Sequence, residues 1–278
     1  MIIILIVLTG LIIASVTDLK TREVPDWLSY GLICAGIGIN LLFSIIYWDY
    51  RYILYSALGL GAFLAIALLM FYSGQWGGGD SKVLMGLGAL IGLKFDSFPF
   101  LASLLINILI AGALYGIAWT FFLAFRKRQR FILEYRKTSS KTAKARVIAG
   151  CTLVMSAPFV FYFSQSIFAW IFFSAAVMSL ITFYLWMAIK AVEKVCMIKK
   201  VTPDKLTEGD WIVKDVKYKG KYLCGPKDLG IEKKQIREVM KLYRAGKIKK
   251  VLIKEGIPFI PSFLLAYIMT LVFGSVFF

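Results

Sequence analysis

The chain has 278 residues, of which 59% are hydrophobic, 15% aromatic and 18% charged, with a mean hydropathy of +0.75. This excludes a cytosolic globule and a disordered chain, since a soluble domain runs nearer half apolar and a quarter charged. Lys and Arg number 33 against 16 Asp and Glu, a net charge of +17, and there is no histidine.

In chain order, the apolar runs are Met1 to Val16, Leu28 to Trp48 and Ile53 to Tyr72. A short glycine-rich run, Ser81 to Leu93, follows, then Phe98 to Phe125. Val147 to Phe163 and Ile167 to Ile189 read as a hairpin of two spans around Ser164–Ser166, and Ile257 to Phe278 is the last run. Most are long enough to cross a hydrocarbon core of ~30 Å. The first run has no basic residue ahead of it, so it reads as a span rather than a cleaved signal peptide.

Charge sets the orientation. Arg126 to Arg146 holds nine Lys/Arg and one Glu, Ala191 to Gly256 eighteen against nine acidic residues, and the remainder is neutral. Basic segments this dense stay on the cytoplasmic side. Because apolar spans flank both, they imply attraction to the anionic lipids of the inner leaflet and not a nucleic acid partner. Placing them inside puts Asp18 and Asp80 inside too, with both termini outside. It leaves Asp49 with Arg51, and Lys94 with Asp96, on the external connections. Of the 33 basic residues, 31 then lie inside, and the parity requires the short fourth run to cross.

The expected fold is therefore an all-α polytopic membrane protein of about eight transmembrane segments, with a small cytoplasmic α+β module before the last span. Residues 1–125 form the expected catalytic core and 126–146 a basic cytoplasmic loop. Residues 147–190 are a transmembrane hairpin, 191–256 the basic cytoplasmic module and 257–278 the last transmembrane helix. Within the module, Trp211–Val213 and Tyr222–Cys224 flank Lys219-Gly220 and read as a hairpin. Ile231 to Arg244 has helical periodicity with Gly246 at C′, and Val251–Ile253 reads as a third strand.

Acidic residues at the ends of apolar runs are costly unless used, which singles out Asp18 and Asp80. Two crossings separate them, so they return to one face at similar depth. Two such carboxyls share one proton, leaving one acid and one base that activate a water against a peptide carbonyl. The absence of histidine excludes Ser-His and Cys-His catalysis. Cys34, Cys151, Cys196 and Cys224 form no Cys-x-x-Cys pair, so neither a metal nor another cofactor is expected. Gly77, Gly78 and Gly79 can take φ > 0 and present no side chains, which would let an extended substrate approach closely, the plainer alternative being a cytoplasmic turn capped by Asp80. Gly88-x-x-x-Gly92 lets the short helix pack tightly. A dipole argument makes Asp80, at a helix N-terminus, the ionised partner, and Asp18, at a helix C-terminus, the protonated one.

Asp18 followed by Arg22-Glu23-Val24-Pro25-Asp26-Trp27, and then Gly77-Gly78-Gly79-Asp80-Ser81-Lys82-Val83-Leu84-Met85-Gly86-Leu87-Gly88-Ala89, resembles the archaeal preflagellin and type IV prepilin peptidases. These are aspartyl proteases of the Gly-x-Gly-Asp type. Glu208-Gly209-Asp210-Trp211 and Gly256-Ile257-Pro258-Phe259-Ile260-Pro261 are similar to a C-terminal region of archaeal members. The resemblance implies that Asp18 and Asp80 are the catalytic pair. It also implies substrates with a short basic leader and an apolar helix, cut at the cytoplasmic face. The four-cysteine zinc motif of many bacterial relatives is missing, so peptidase activity alone is expected.

Glu23 and Asp26 are candidates for binding the leader's Lys or Arg, or for pairing with Lys20 and Arg22 in a solvated loop. Lys82 either tunes Asp80 or snorkels to the interface. Pro258 and Pro261 either hold an irregular start of the last span beside the site or are first-turn prolines. The rival from another class is a proton- or ion-coupled transporter using the two aspartates, and a third reading is an assembly scaffold.

Overall fold

The computed structural model describes residues 1–95, 99–162 and 166–274. The expected external Asp96, the Ser164 end of the hairpin turn, and the last residues of the final run lie outside them. Two compact units emerge: residues 1–118 with 200–278, and residues 119–199.

The first unit begins with α1 (Ile2–Thr21), α2 (Asp26–Ile46), α3 (Arg51–Tyr72), α4 (Gly78–Ile91) and most of α5 (Phe100–Arg126). α4 is its centre. It packs against α2 and α3, and Val83, Leu84, Leu87 and Leu90 are fully buried. Small residues make this approach possible. A Cβ on Gly88 would run into the carbonyl oxygen of Gly59, and one on Gly36 would come within 2.6 Å of the Ala89–Leu90 peptide. Buried polar groups then tie the helices together. Asn40 Nδ2 donates to the carbonyls of Ala89 (3.2 Å) and Leu90 (3.3 Å), and Ser56 Oγ donates to that of Ala89 at 2.7 Å. Without a hydrophobic driving force between helices in lipid, close backbone approach and such bonds supply the association.

α4 ends at Gly92, whose φ of 73° turns the chain out of the helix, and Leu93 donates its N–H to the Tyr55 carbonyl at 2.8 Å. The same core takes in Val7, Leu11 and Ala14 of α1, and Leu104 and Ile108 of α5. Ile260, Phe263, Ala266 and Tyr267 join it from α10 (Ile260–Phe273).

The second unit contains α6 (Arg128–Lys141), α7 (Ala143–Tyr162) and α8 (Ile167–Val192), with a π-helical turn at Glu193–Met197; β1 (Ile198–Val201) follows across the unit boundary. The basic segment 126–146, expected as a loop, is mostly the helix α6. Phe131 and Tyr135, four residues apart, pack along it with tilted rings at 5.7 Å, and Lys194 pairs with Glu134 at 3.0 Å.

Residues 200–256 form a small α+β module with its own core of Leu206, Ile212, Leu223, Cys224, Ile231, Val239, Val251 and Ile253. Its strand pairing differs from the expected hairpin. The strands around Lys219-Gly220 are β3 (Val216–Tyr218) and β4 (Lys221–Cys224), because both turn residues have φ > 0 (49° and 80°), as a two-residue hairpin turn requires. β2 (Trp211–Ile212) pairs instead with β5 (Val251–Lys254), antiparallel, with Ile212 opposite Ile253. α9 (Lys233–Arg244) starts in a capping box of Glu232 and Gln235 and ends before Gly246 at φ 70°.

Five of the described helices, α1, α2, α3, α5 and α8 with its π turn, are long and apolar enough to cross a membrane. α4 and α10 are apolar but have 14 described residues each. α7 opens with Lys144 and Arg146, which dilute its apolar run. The chain is a largely helical, multi-pass membrane protein with a small sheet-containing module.

Candidate active site

Asp18 sits in the last turn of α1, on the stripe that buries Leu11 and Ala14, and is 5% exposed. Ser15, one turn earlier, is also buried, and its Oγ has no partner among the described residues. The helix stops at Arg22, a left-handed C-cap with φ 64° whose N–H returns to the Asp18 carbonyl at 2.9 Å. Asp80 is the third residue of α4. Gly77 donates its N–H to Asp80 Oδ2 at 3.1 Å, the side-chain half of a capping turn that anchors the carboxyl at the helix start.

The two aspartates, 62 positions apart, are brought close enough for charge on one to act on the other. Tyr115 of α5 lies in the electrostatic field of Asp18 and of Arg22. Asp18 Oδ2 accepts the backbone N–H of Ile260 at 3.0 Å, and Ile260 is the first residue of α10. The dipole argument from sequence therefore misses half of the field. Asp18 does end α1, but it also faces the positive N-terminal end of α10, so each carboxyl meets one helix start.

Gly77 has φ −74° and Gly78 and Gly79 lie in the first turn of α4, none with positive φ. The start of α4 rests on the loop after α1, where a Cβ on Gly79 would stand in ordinary contact, 3.4 Å, with the Val24 side chain. Asp26 is exposed and pairs with Lys82 at 2.6 Å, and Lys82 also lies 5.0 Å over the Tyr30 ring. Lys82 thus turns toward α2. Glu23 is exposed and shares an acidic region with Asp210 and Glu255 of the module. Burial and this acidic company hold Asp210 above the usual carboxylate range, against the Thr207 N–H that it accepts at 2.8 Å.

Sequence reasoning missed Ile260 as a partner of Asp18, because a backbone N–H has no residue signature. It also missed Trp76, directly before the glycines, which packs against Phe259 (5.9 Å) and Phe263 (5.4 Å). The Pro258 and Pro261 pattern was the available signal, and those prolines do bracket the residue that meets Asp18. Among the described residues no cluster of three potential metal ligands occurs.

Residues 5–121 match the type IV leader peptidase family. The preflagellin peptidase of Methanocaldococcus jannaschii is 42% identical over 82 residues, 30% of this chain and 35% of its own length. That of Methanococcus voltae is 38% identical over 97 residues, 35% of this chain and 40% of its own. The prepilin peptidase EppA of Methanothermobacter thermautotrophicus is 22% identical over 151 residues, 49% of this chain and 39% of its own. The chain thus spans between a third and two fifths of the length of these curated relatives. No solved structure matches it. On these grounds residues 5–121, somewhat less than half of the chain, are similar to the type IV leader peptidase family.

Proposed function

We propose that the protein is a membrane aspartyl endopeptidase that removes a short basic leader from preflagellin- or prepilin-like precursors at the cytoplasmic membrane face. The meeting of Asp18 and Asp80 carries this reading. Two carboxyls within each other's field favour one shared proton over two charges, which yields an acid and a base side by side. The ionised carboxylate takes a proton from water as the water oxygen attacks the scissile carbonyl carbon, and the protonated partner gives its proton to the carbonyl oxygen. When the tetrahedral adduct collapses, the carboxyl proton taken from water goes to the departing amine nitrogen, a hydroxyl of the adduct gives its proton to the other carboxylate as the product carboxyl forms, and the pair again holds one proton. No cofactor enters these steps.

The surroundings support a precursor of this kind. Glu23, which shares an acidic region with Asp210 and Glu255, and Asp26, whose partner is Lys82, offer carboxylates that a basic leader would pair with. Gly77, Gly78 and Gly79 present no side chains at the start of α4, and the exposed Gly78 is where an extended peptide would come close. In this reading eight segments cross the membrane, α4 among them, with residues 126–146 and 191–256 inside and both termini outside. The basic face then rests on anionic lipid headgroups.

The test is reconstitution of the full chain in liposomes with a precursor that carries a basic leader and an apolar helix, followed by mass determination of the product N-terminus. Cleavage at the leader–helix junction is expected. An intact precursor under conditions where a preflagellin peptidase cuts it overturns the assignment.

A further inference from the structure

The first aspartate is held from the far end of the chain. Ile260 donates its N–H to Asp18 Oδ2 across 242 positions of sequence, in a buried setting. The donor is there because of the local sequence. A helix start leaves its first N–H groups without intrahelical partners. In α10 Pro261 has none to offer and Ser262 returns its own to the Phe259 carbonyl at 3.0 Å. The Ile260 N–H, with that of Phe259 beside it, is thus directed at Asp18.

Two further contacts hold this segment in place. Arg22, one turn after Asp18, donates Nη1 to the Gly256 carbonyl at 3.1 Å. The Phe259 ring packs on Trp76, which leads directly into the Gly77–Asp80 turn, and lies over Gly112 of α5, where a Cβ would come within 2.6 Å of it. Residues 256–260 therefore touch both chain segments that carry the aspartates, and they lie outside the family-matched residues 5–121.

We propose that Ile260 is a positioning residue of the active site, whose backbone N–H fixes the orientation of the Asp18 carboxyl. The proposal rests on the reading of Asp18 and Asp80 as the catalytic pair. Its test replaces Ile260 in the full chain with the corresponding α-hydroxy acid. The resulting ester removes the N–H and keeps the side chain and chain path. A charge-assisted hydrogen bond lost at a reacting carboxyl is expected to lower kcat for precursor cleavage about 10-fold or more, with KM within about twofold. The same replacement at Leu264, one turn along α10, weakens the helix without touching Asp18 and is expected to leave kcat near the parent value. An ester at 260 with parental kcat, or equal losses at 260 and 264, overturns the proposal. Asp18→Asn and Asp80→Asn are run in the same assay. If either still cleaves, the reading of the pair fails. If both are inactive while the 260 ester is unimpaired, only the role of Ile260 fails.

Discussion

Asp18 owes its place to a donor that no local sequence supplies, the Ile260 N–H, and a carboxyl buried at a membrane boundary is costly without such a partner. Asp80 carries its own support in the Gly77 N–H. If the two act as one acid–base unit, neither survives loss of its ionisable proton, so Asp18→Asn and Asp80→Asn should each lower cleavage about 10³-fold or more. Initial rates on a purified precursor check this, and near-normal processing by either variant would sink the pair. Asp210 titrates in the other direction of interest. Its folded-state pKa lies above the unfolded value because of burial, with Glu23 and Glu255 adding to it. The folded chain therefore binds more protons between those two values, and the stability from this group is fullest in acid and lost as pH rises through the folded pKa. Asp210→Asn keeps an oxygen for the Thr207 N–H and removes the charge. Its melting temperature should exceed the parent's at pH 7 and converge with it below about pH 4. Equal melting curves at pH 7 would refute this.

At the scale of elements, α4 shows what patterning reveals and what it hides. The short glycine-rich run and the acid before it were legible, since small residues at four-residue spacing and a terminal carboxylate are properties of sequence alone. That α4 would lie at the centre of the first unit depends on Gly36 and Gly59 in other helices. Gly77 to Gly79 look like turn residues by composition, yet they form the N-cap and first turn of α4. In the module, the apolar triplet Trp211–Val213 reads as a hairpin arm, and the arm in the structure is Val216–Tyr218. The two-residue turn at Lys219-Gly220 admits only its immediate neighbours, however, which frees β2 to pair with β5. The α3–α4 contact leads to a contrast between two glycines. Gly88→Ala forces a methyl into the Gly59 backbone and should destabilise the chain by about 1–3 kcal/mol. Gly31→Ala, where a Cβ meets nothing within 4 Å, should be neutral or stabilising. Thermal unfolding in detergent separates them, and similar losses for both would show that the contact is softer than it looks.

For the whole molecule, charge distribution was the most legible feature and long-range contact the least. Thirty-one of 33 basic residues fall on one side in the proposed topology, a pattern visible from residue order alone. The bond from Ile260 to Asp18 joins the two ends of the chain and leaves no periodic or compositional trace. The topology itself is testable in a cysteine-free background. Ser140→Cys and Lys219→Cys should resist a membrane-impermeant thiol reagent in intact cells, and Trp48→Cys, on an exposed connection, should react. Reaction at position 140 or 219 would invert the arrangement.

Arg22 has a consequence of another kind. It occupies a left-handed C-cap where glycine would sit without the ~1–2 kcal/mol that a Cβ costs. Its side chain is what fastens Gly256, and so the approach to α10, to the end of α1. Backbone comfort and attachment are thus opposed at one position. Arg22→Gly should relax α1 while loosening the stretch that joins the module to α10. In hydrogen–deuterium exchange, amides 251–257 should exchange faster than in the parent while those of α1 stay protected; unchanged exchange over 251–257 would mean the clasp holds nothing.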